Sequence, residues 1–153
     1  MKLWNPFLLM LGVCLTVSMA SMTWADERFD TGKALWQTSG ISTYQYRYQK
    51  ICECHRNKPS ETIVSVDMGT IVGVRYDRED YLKEILVPTD RHKWFRTIGE
   101  LFELVDKAYQ LQAQVRVSYE PQLGYPQYIY IDYDEDLVGE EVELRILELN
   151  ALN

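Results

Sequence analysis

Apolar and polar residues alternate along most of this chain, and the period of the alternation marks its elements. From Thr43 to Cys54, Tyr44, Tyr46 and Tyr48 alternate with Gln45, Arg47 and Gln49. A period of two places each set on one face of a strand. Thr62–Val66 and Thr70–Tyr76 flank Asp67-Met68-Gly69, where glycine supplies the positive φ of a hairpin turn. On the returning strand Val72, Val74 and Tyr76 share one side, and Tyr81–Val87 extends the sheet until Pro88 stops it. The period then becomes helical. Thr97-Ile98-Gly99-Glu100 is a capping box, a hydroxyl at the cap and a carboxylate three residues on. Ile98, Leu101, Phe102, Val105, Ala108 and Tyr109 follow as one apolar face.

The period of two returns at Val115, Val117 and Tyr119, at Tyr128–Tyr133, and at Val142, Leu144 and Ile146. Earlier in the chain, Phe29, Lys33 and Trp36 form a helical stripe. It predicts a first helix over Glu27–Gln37 ending near Gly40. Together these elements predict an α+β fold. It has an antiparallel sheet of about six strands, in the order helix, three strands, helix, three strands, with the helices on one face.

The N-terminus follows neither period. Lys2 is the only charge before Asp26, Phe7–Val17 is an uninterrupted eleven-residue segment with no charge, and small residues follow at Ala20 and Ala25. A charged start, a short apolar core and a small-residue site read as a cleavable signal peptide over residues 1–25. A membrane span needs about 20 mostly apolar residues, and Pro6 crowds the start of this shorter run. Cys14 follows Val13, and a branched residue there argues against lipid attachment. Cleavage would leave a single domain over residues 26–153, with Lys+Arg 15 against Asp+Glu 23 and a net charge of −8. Such acidity disfavours nucleic acid, whose backbone is held by Lys and Arg. The expectation is an exported chain, periplasmic or secreted, with no span after cleavage.

Four groups of residues carry candidate chemistry. Cys52 and Cys54 would be the only cysteines of the processed chain, and exported cysteines are usually oxidised. An i, i+2 pair on a strand spans about 6.6 Å between Cα atoms, near the upper limit for a disulfide. A local disulfide with a kink at Glu53 is the first reading; a redox-active pair and free or intermolecular thiols are the alternatives. His55 makes the run Cys-x-Cys-His, but zinc wants four ligands, and His92 is the only other histidine. No metal or cofactor is therefore assigned. Asp132, Asp134 and Asp136, with Glu140 and Glu141, form an acidic loop with carboxylates at the first, third and fifth positions of a calcium pattern. Leu137 stands where that pattern needs glycine, so the loop is a possible cation site of another geometry or a solvated turn. Tyr119, Leu123, Gly124, Tyr125, Pro126 and Tyr128 form a Tyr/Pro/Gly-rich stretch, a possible binding face because tyrosine offers apolar area with a polar tip. Neither a Gly-rich phosphate loop nor a nucleophile elbow occurs.

Taken together, several of these motifs resemble a family. They are Tyr44-x-Tyr46, Cys52-x-Cys54, Val66-Asp67-x-Gly69, Thr97-Ile98-x-x-Leu101-Phe102 and Tyr119-x-Pro121-x-Leu123-Gly124-Tyr125-Pro126, then Asp132 and Glu140-Glu141. Over roughly residues 30–148 the chain is similar to the uncharacterised bacterial exported-protein family termed domain of unknown function 6174. The resemblance implies an exported bacterial domain and carries no activity. Two functional readings follow. One is a non-catalytic binding or accessory domain for an envelope protein or small ligand. The other is a redox or metal-handling protein acting through Cys52 and Cys54.

Overall fold

A computed structural model describes residues 24–51, 61–77 and 85–152. Helix α1 (Trp24–Ser39) leads into β1 (Tyr44–Ile51), β2 (Glu61–Asp67), β3 (Thr70–Asp77) and β4 (Ile85–Leu86). A 3-10 turn (Thr89–Trp94) and helix α2 (Ile98–Gln110) follow, then β5 (Gln114–Tyr119), β6 (Pro126–Asp132) and β7 (Val142–Ala151). All strand pairs are antiparallel. They form one sheet in the order β4-β3-β2-β1-β7-β6-β5. Each half of the chain is a meander, and the two halves join where the last strand returns to pair with the first. Helix α2 carries the chain from one edge of the sheet to the other.

The α+β class and the single antiparallel sheet agree with the sequence pattern, but the strand count and order do not. Among the described residues there are seven strands, because Ile85 and Leu86 pair with Tyr76 and Arg75. The order is helix, four strands, helix, three strands. The added strand is the end of the expected Tyr81–Val87 segment, whose first four residues lie outside the described part. Pro88 has no N–H to continue the ladder. Helix α1 runs longer than Glu27–Gln37. Ser39 Oγ donates to the Trp36 carbonyl at 2.7 Å, and Gly40 then takes φ +68°, which ends the helix. Strand β7 continues past Ile146 because β1 offers it a partner through Ala151. Between Arg47 and Tyr48 the register slips. Leu147 is the extra residue of that bulge and is left 47% exposed.

Register assigns the two faces. Tyr44, Tyr46, Val64, Val66, Val74, Ile129, Ile131, Leu144 and Ile146 point to the helices and are buried. Helix α1 contributes Phe29 and Trp36, two turns apart; α2 contributes Ile98, Leu101, Phe102, Val105 and Ala108. Edge-on aromatic contacts join α1 to the sheet, Trp36 to Tyr44 at 5.3 Å, and α1 to α2, Phe29 to both Phe102 and Tyr109 at 5.9 Å. Both parts of the Thr97 capping box form. Strand β1 also helps to set that helix start. Tyr44 Oη accepts the Ile98 N–H at 2.9 Å, and Tyr46 Oη donates to the Arg96 carbonyl. Tyr44 and Tyr46 are therefore core residues with anchored polar tips, and Tyr48 packs half-buried beside them. At the β2–β3 hairpin Met68 and Gly69 both have positive φ, 48° and 76°. That matches the twist a two-residue turn needs. No helix among the described residues is long and apolar enough to cross a membrane.

Candidate functional site

The face of the sheet turned away from the helices is lined by alternate residues of every long strand. At the β5–β6–β7 end, register sets Arg116 opposite Tyr130, Tyr130 opposite Glu143, and Tyr128 opposite Arg145. The Arg116 guanidinium lies 4.2 Å from the Tyr130 ring centroid, and that of Arg145 lies 5.6 Å from Tyr128. These are cation–π distances. Arg145 also pairs with Glu143 at 3.2 Å, and Tyr130 Oη donates to Asp132 at 3.2 Å. Burial and then neighbouring Glu143 raise the Tyr128 phenol above its ordinary value, so it is a neutral donor. Toward the centre Arg47 pairs with Glu61 at 3.2 Å, and Gln45 reaches Ser65 at 3.0 Å. The result is a surface of ordered tyrosine rings and guanidinium planes in which neither charge sign dominates.

The six residues of the expected binding face do not come together. Tyr128 is on this open face. Tyr119 is on the other, stacked on Phe102 with centroids 6.0 Å apart and planes 6° apart. Gly124, Tyr125 and Pro126 are buried and Leu123 is half-buried, because the turn tucks under α1. A Cβ on Gly32 would stand 2.8 Å from Tyr119 Cδ1, and one on Gly124 would stand 2.3 Å from the Gly32 carbonyl oxygen. Two glycines thus let helix and turn backbones touch. Gly32 was the cue available in the sequence, since glycine inside a helical stretch signals a close approach.

The acidic loop is held by its own carboxylates. Glu140 Oε1 accepts the N–H groups of Tyr133 and Asp134 at 2.9 and 2.7 Å. Asp132 accepts from Asp134, Asp134 from Asp136, and Glu141 from Gly139. Among the described residues no three His, Cys, Asp or Glu side chains are placed to share a metal ion. His92 Nε2 lies 3.1 Å from the Val87 carbonyl oxygen. Cys52, Cys54 and His55 lie outside the described residues.

Among the described residues, two of the clefts lie beside the helices. The larger, about 420 Å³, opens between α1 and the start of α2 over Trp36, Gly40, Gly99 and Phe102. The smaller, about 250 Å³, lies beside edge strand β5 and is lined by Arg28, Tyr109, Val115, Arg116, Val117 and Tyr119. The sequence did not signal either cleft, since its lining residues come from distant segments.

The sequence pattern of a family described as "Family of unknown function (DUF6174)" matches residues 28–151. The chain belongs to that family. No curated protein and no solved structure matches it.

Proposed function

We propose that this member of the DUF6174 family is an exported, non-catalytic binding domain, and that its uncovered sheet face takes a protein partner of the cell envelope. The observation that carries the reading is the pairing of Arg116 with Tyr130 and Arg145 with Tyr128 across three neighbouring strands. Tyrosine and arginine are enriched at protein interfaces. Side chains already stacked on one another lose less rotamer freedom on association. Glu143 and Asp132 stand among the arginines, which suits a partner with interleaved charges and fixes its orientation.

A photoreactive amino acid at Tyr128 tests this in intact cells, with one at exposed Gln110 as control. A discrete adduct is expected from position 128, and it should vanish when Arg116 and Arg145 are both replaced by Glu. Equal adducts from both positions would remove the sheet face from consideration. Mass measurement of the native protein tests export, which predicts loss of residues 1–20 or 1–25. The thiol reading rests on Cys52 and Cys54 alone. Replacing both with Ser leaves the adduct intact if the domain is a binding module, and abolishes function if the thiols are its chemistry.

A further inference from the structure

We infer that the cleft beside edge strand β5 is a binding site for a small organic monocarboxylate, held by Tyr119 Oη and the Arg28 guanidinium. It lies apart from Tyr128 and Arg145, and stands on different observations.

The first observation is an orphan polar atom. Tyr119 Oη is buried and has no hydrogen-bond partner among the described residues, although its ring is fixed by stacking on Phe102. A buried hydroxyl without a partner is costly in a native structure, and each such group asks for an explanation. The second observation is that the Tyr119 side chain which carries this atom lines a cleft of about 250 Å³. That is slightly below the size of a drug-binding pocket, so a ligand of roughly ten heavy atoms or fewer fits. The third is charge. Arg28 lines the same cleft and makes no ion pair among the described residues. Its field reaches Tyr119: burial and Tyr109 raise that phenol well above its ordinary value, and Arg28 acts in the opposite direction.

A guanidinium fork and a phenol O–H are all donors, so together they call for an acceptor with two oxygens and a negative charge. Two groups limit that charge. Asp30 also acts on Tyr119 and disfavours a dianion. Arg116 forms part of the wall, but its guanidinium is occupied on the Tyr130 ring, which leaves Arg28 as the cation for the ligand. Val115, Val117 and the Tyr109 ring supply an apolar wall for a short aliphatic or aromatic body.

The test is an amide chemical-shift titration of the folded domain with benzoate, with neutral benzamide and inorganic phosphate in parallel. Saturable benzoate shifts are expected around Arg28, Tyr109 and Tyr119, with much weaker effects from benzamide. Tyr119→Phe keeps the ring and removes only the orphan group. It should weaken benzoate about 10-fold, the worth of one hydrogen bond to a charged acceptor, without lowering Tm in the absence of benzoate. Arg28→Gln, at an exposed helix position, should weaken it by a similar or larger factor. Benzoate affinity unchanged in both variants would overturn the site. Phosphate moving the same amides as strongly as benzoate would overturn the carboxylate assignment.

Discussion

The two loops that flank β6 use the same local chemistry and end in opposite surroundings. In the first, Glu120 Oε2 accepts the N–H groups of Gln122 and Leu123 at 3.0 and 2.5 Å. In the second, Glu140 Oε1 does the same for Tyr133 and Asp134. Each has a glycine with positive φ, 76° at Gly124 and 96° at Gly139. Yet a Cβ on Gly124 would run into Gly32 and Leu35, whereas one on Gly139 would meet nothing within 4 Å. The first loop is a packing surface for α1, with Tyr125 set edge-on to Trp36 at 6.4 Å. The second is a solvated connection. A turn-rich composition shows that the chain reverses; what comes to lie on the reversal depends on an element about ninety residues away in sequence.

The sharpest break of this comparison is a pair of glycine substitutions. Gly124→Ala combines a left-handed backbone penalty with a backbone clash, and should lower stability by about 3 kcal/mol or more. Gly139→Ala has only the backbone penalty, about 1–2 kcal/mol. Urea denaturation of both variants measures the gap. Equal losses would mean that α1 does not clamp the first loop.

Alkaline pH probes the same inward region next. Trp36 bridges Tyr125 and Tyr44, and burial pushes the phenols of Tyr44 and Tyr48 from 10.0 up to about 12. The unfolded chain ionises first, so their contribution to stability is complete below pH 10 and is lost as pH rises through 12. Tm should therefore fall across that window, with tyrosinate absorbance rising together with the loss of structure. Ionisation at pH 10 without unfolding would show these rings to be solvated.

How far the sequence could reveal these surroundings varies with distance along the chain. The Thr97 capping box, the α2 stripe and the β2–β3 turn were legible because each is a local pattern within a few residues. The alternation in β1, β5, β6 and β7 was legible for the same reason. The order of strands was not, since pairing of β1 with β7 joins residues about a hundred positions apart, and alternation says which residues share a face but not which strand lies beside them. That gap also hid the second half of β7. For the candidate site, Tyr128 was grouped into a possible binding face and lies on the open face, but Arg145 over its ring and Arg116 over that of Tyr130 read only as the polar half of an alternation. Tyr119 and Gly124–Pro126 were grouped with Tyr128 by closeness in sequence, and the strand pleat separates them.

Removing the capping carboxylates should give smaller effects. Glu120→Ala leaves two N–H groups unsatisfied in a partly buried turn, one of them on half-buried Leu123, and should cost about 1–2 kcal/mol. Glu140→Ala exposes its two donors to water and should cost about 0.5–1 kcal/mol.

The smallest effect expected is from calcium. For Asp132, Asp134 and Asp136 to bind it, Asp132 and Asp134 would have to turn an oxygen from the Asp134 and Asp136 amides to a point shared with Asp136. Cation affinity is reduced by whatever those hydrogen bonds contribute, and the loop offers no glycine where the calcium pattern needs one. Tm should therefore be the same with excess calcium as with a chelator. A ligand at 100 times its Kd would add about 2.7 kcal/mol, an effect thermal denaturation detects easily. If calcium did raise Tm, the decisive variant is Glu140→Ala. Freeing the Tyr133 and Asp134 amides would disrupt the loop as it now stands. A calcium response that survived this change would show that the cation builds its own loop conformation, and the contrast with the Glu120 turn would then be one between a fixed loop and an inducible one.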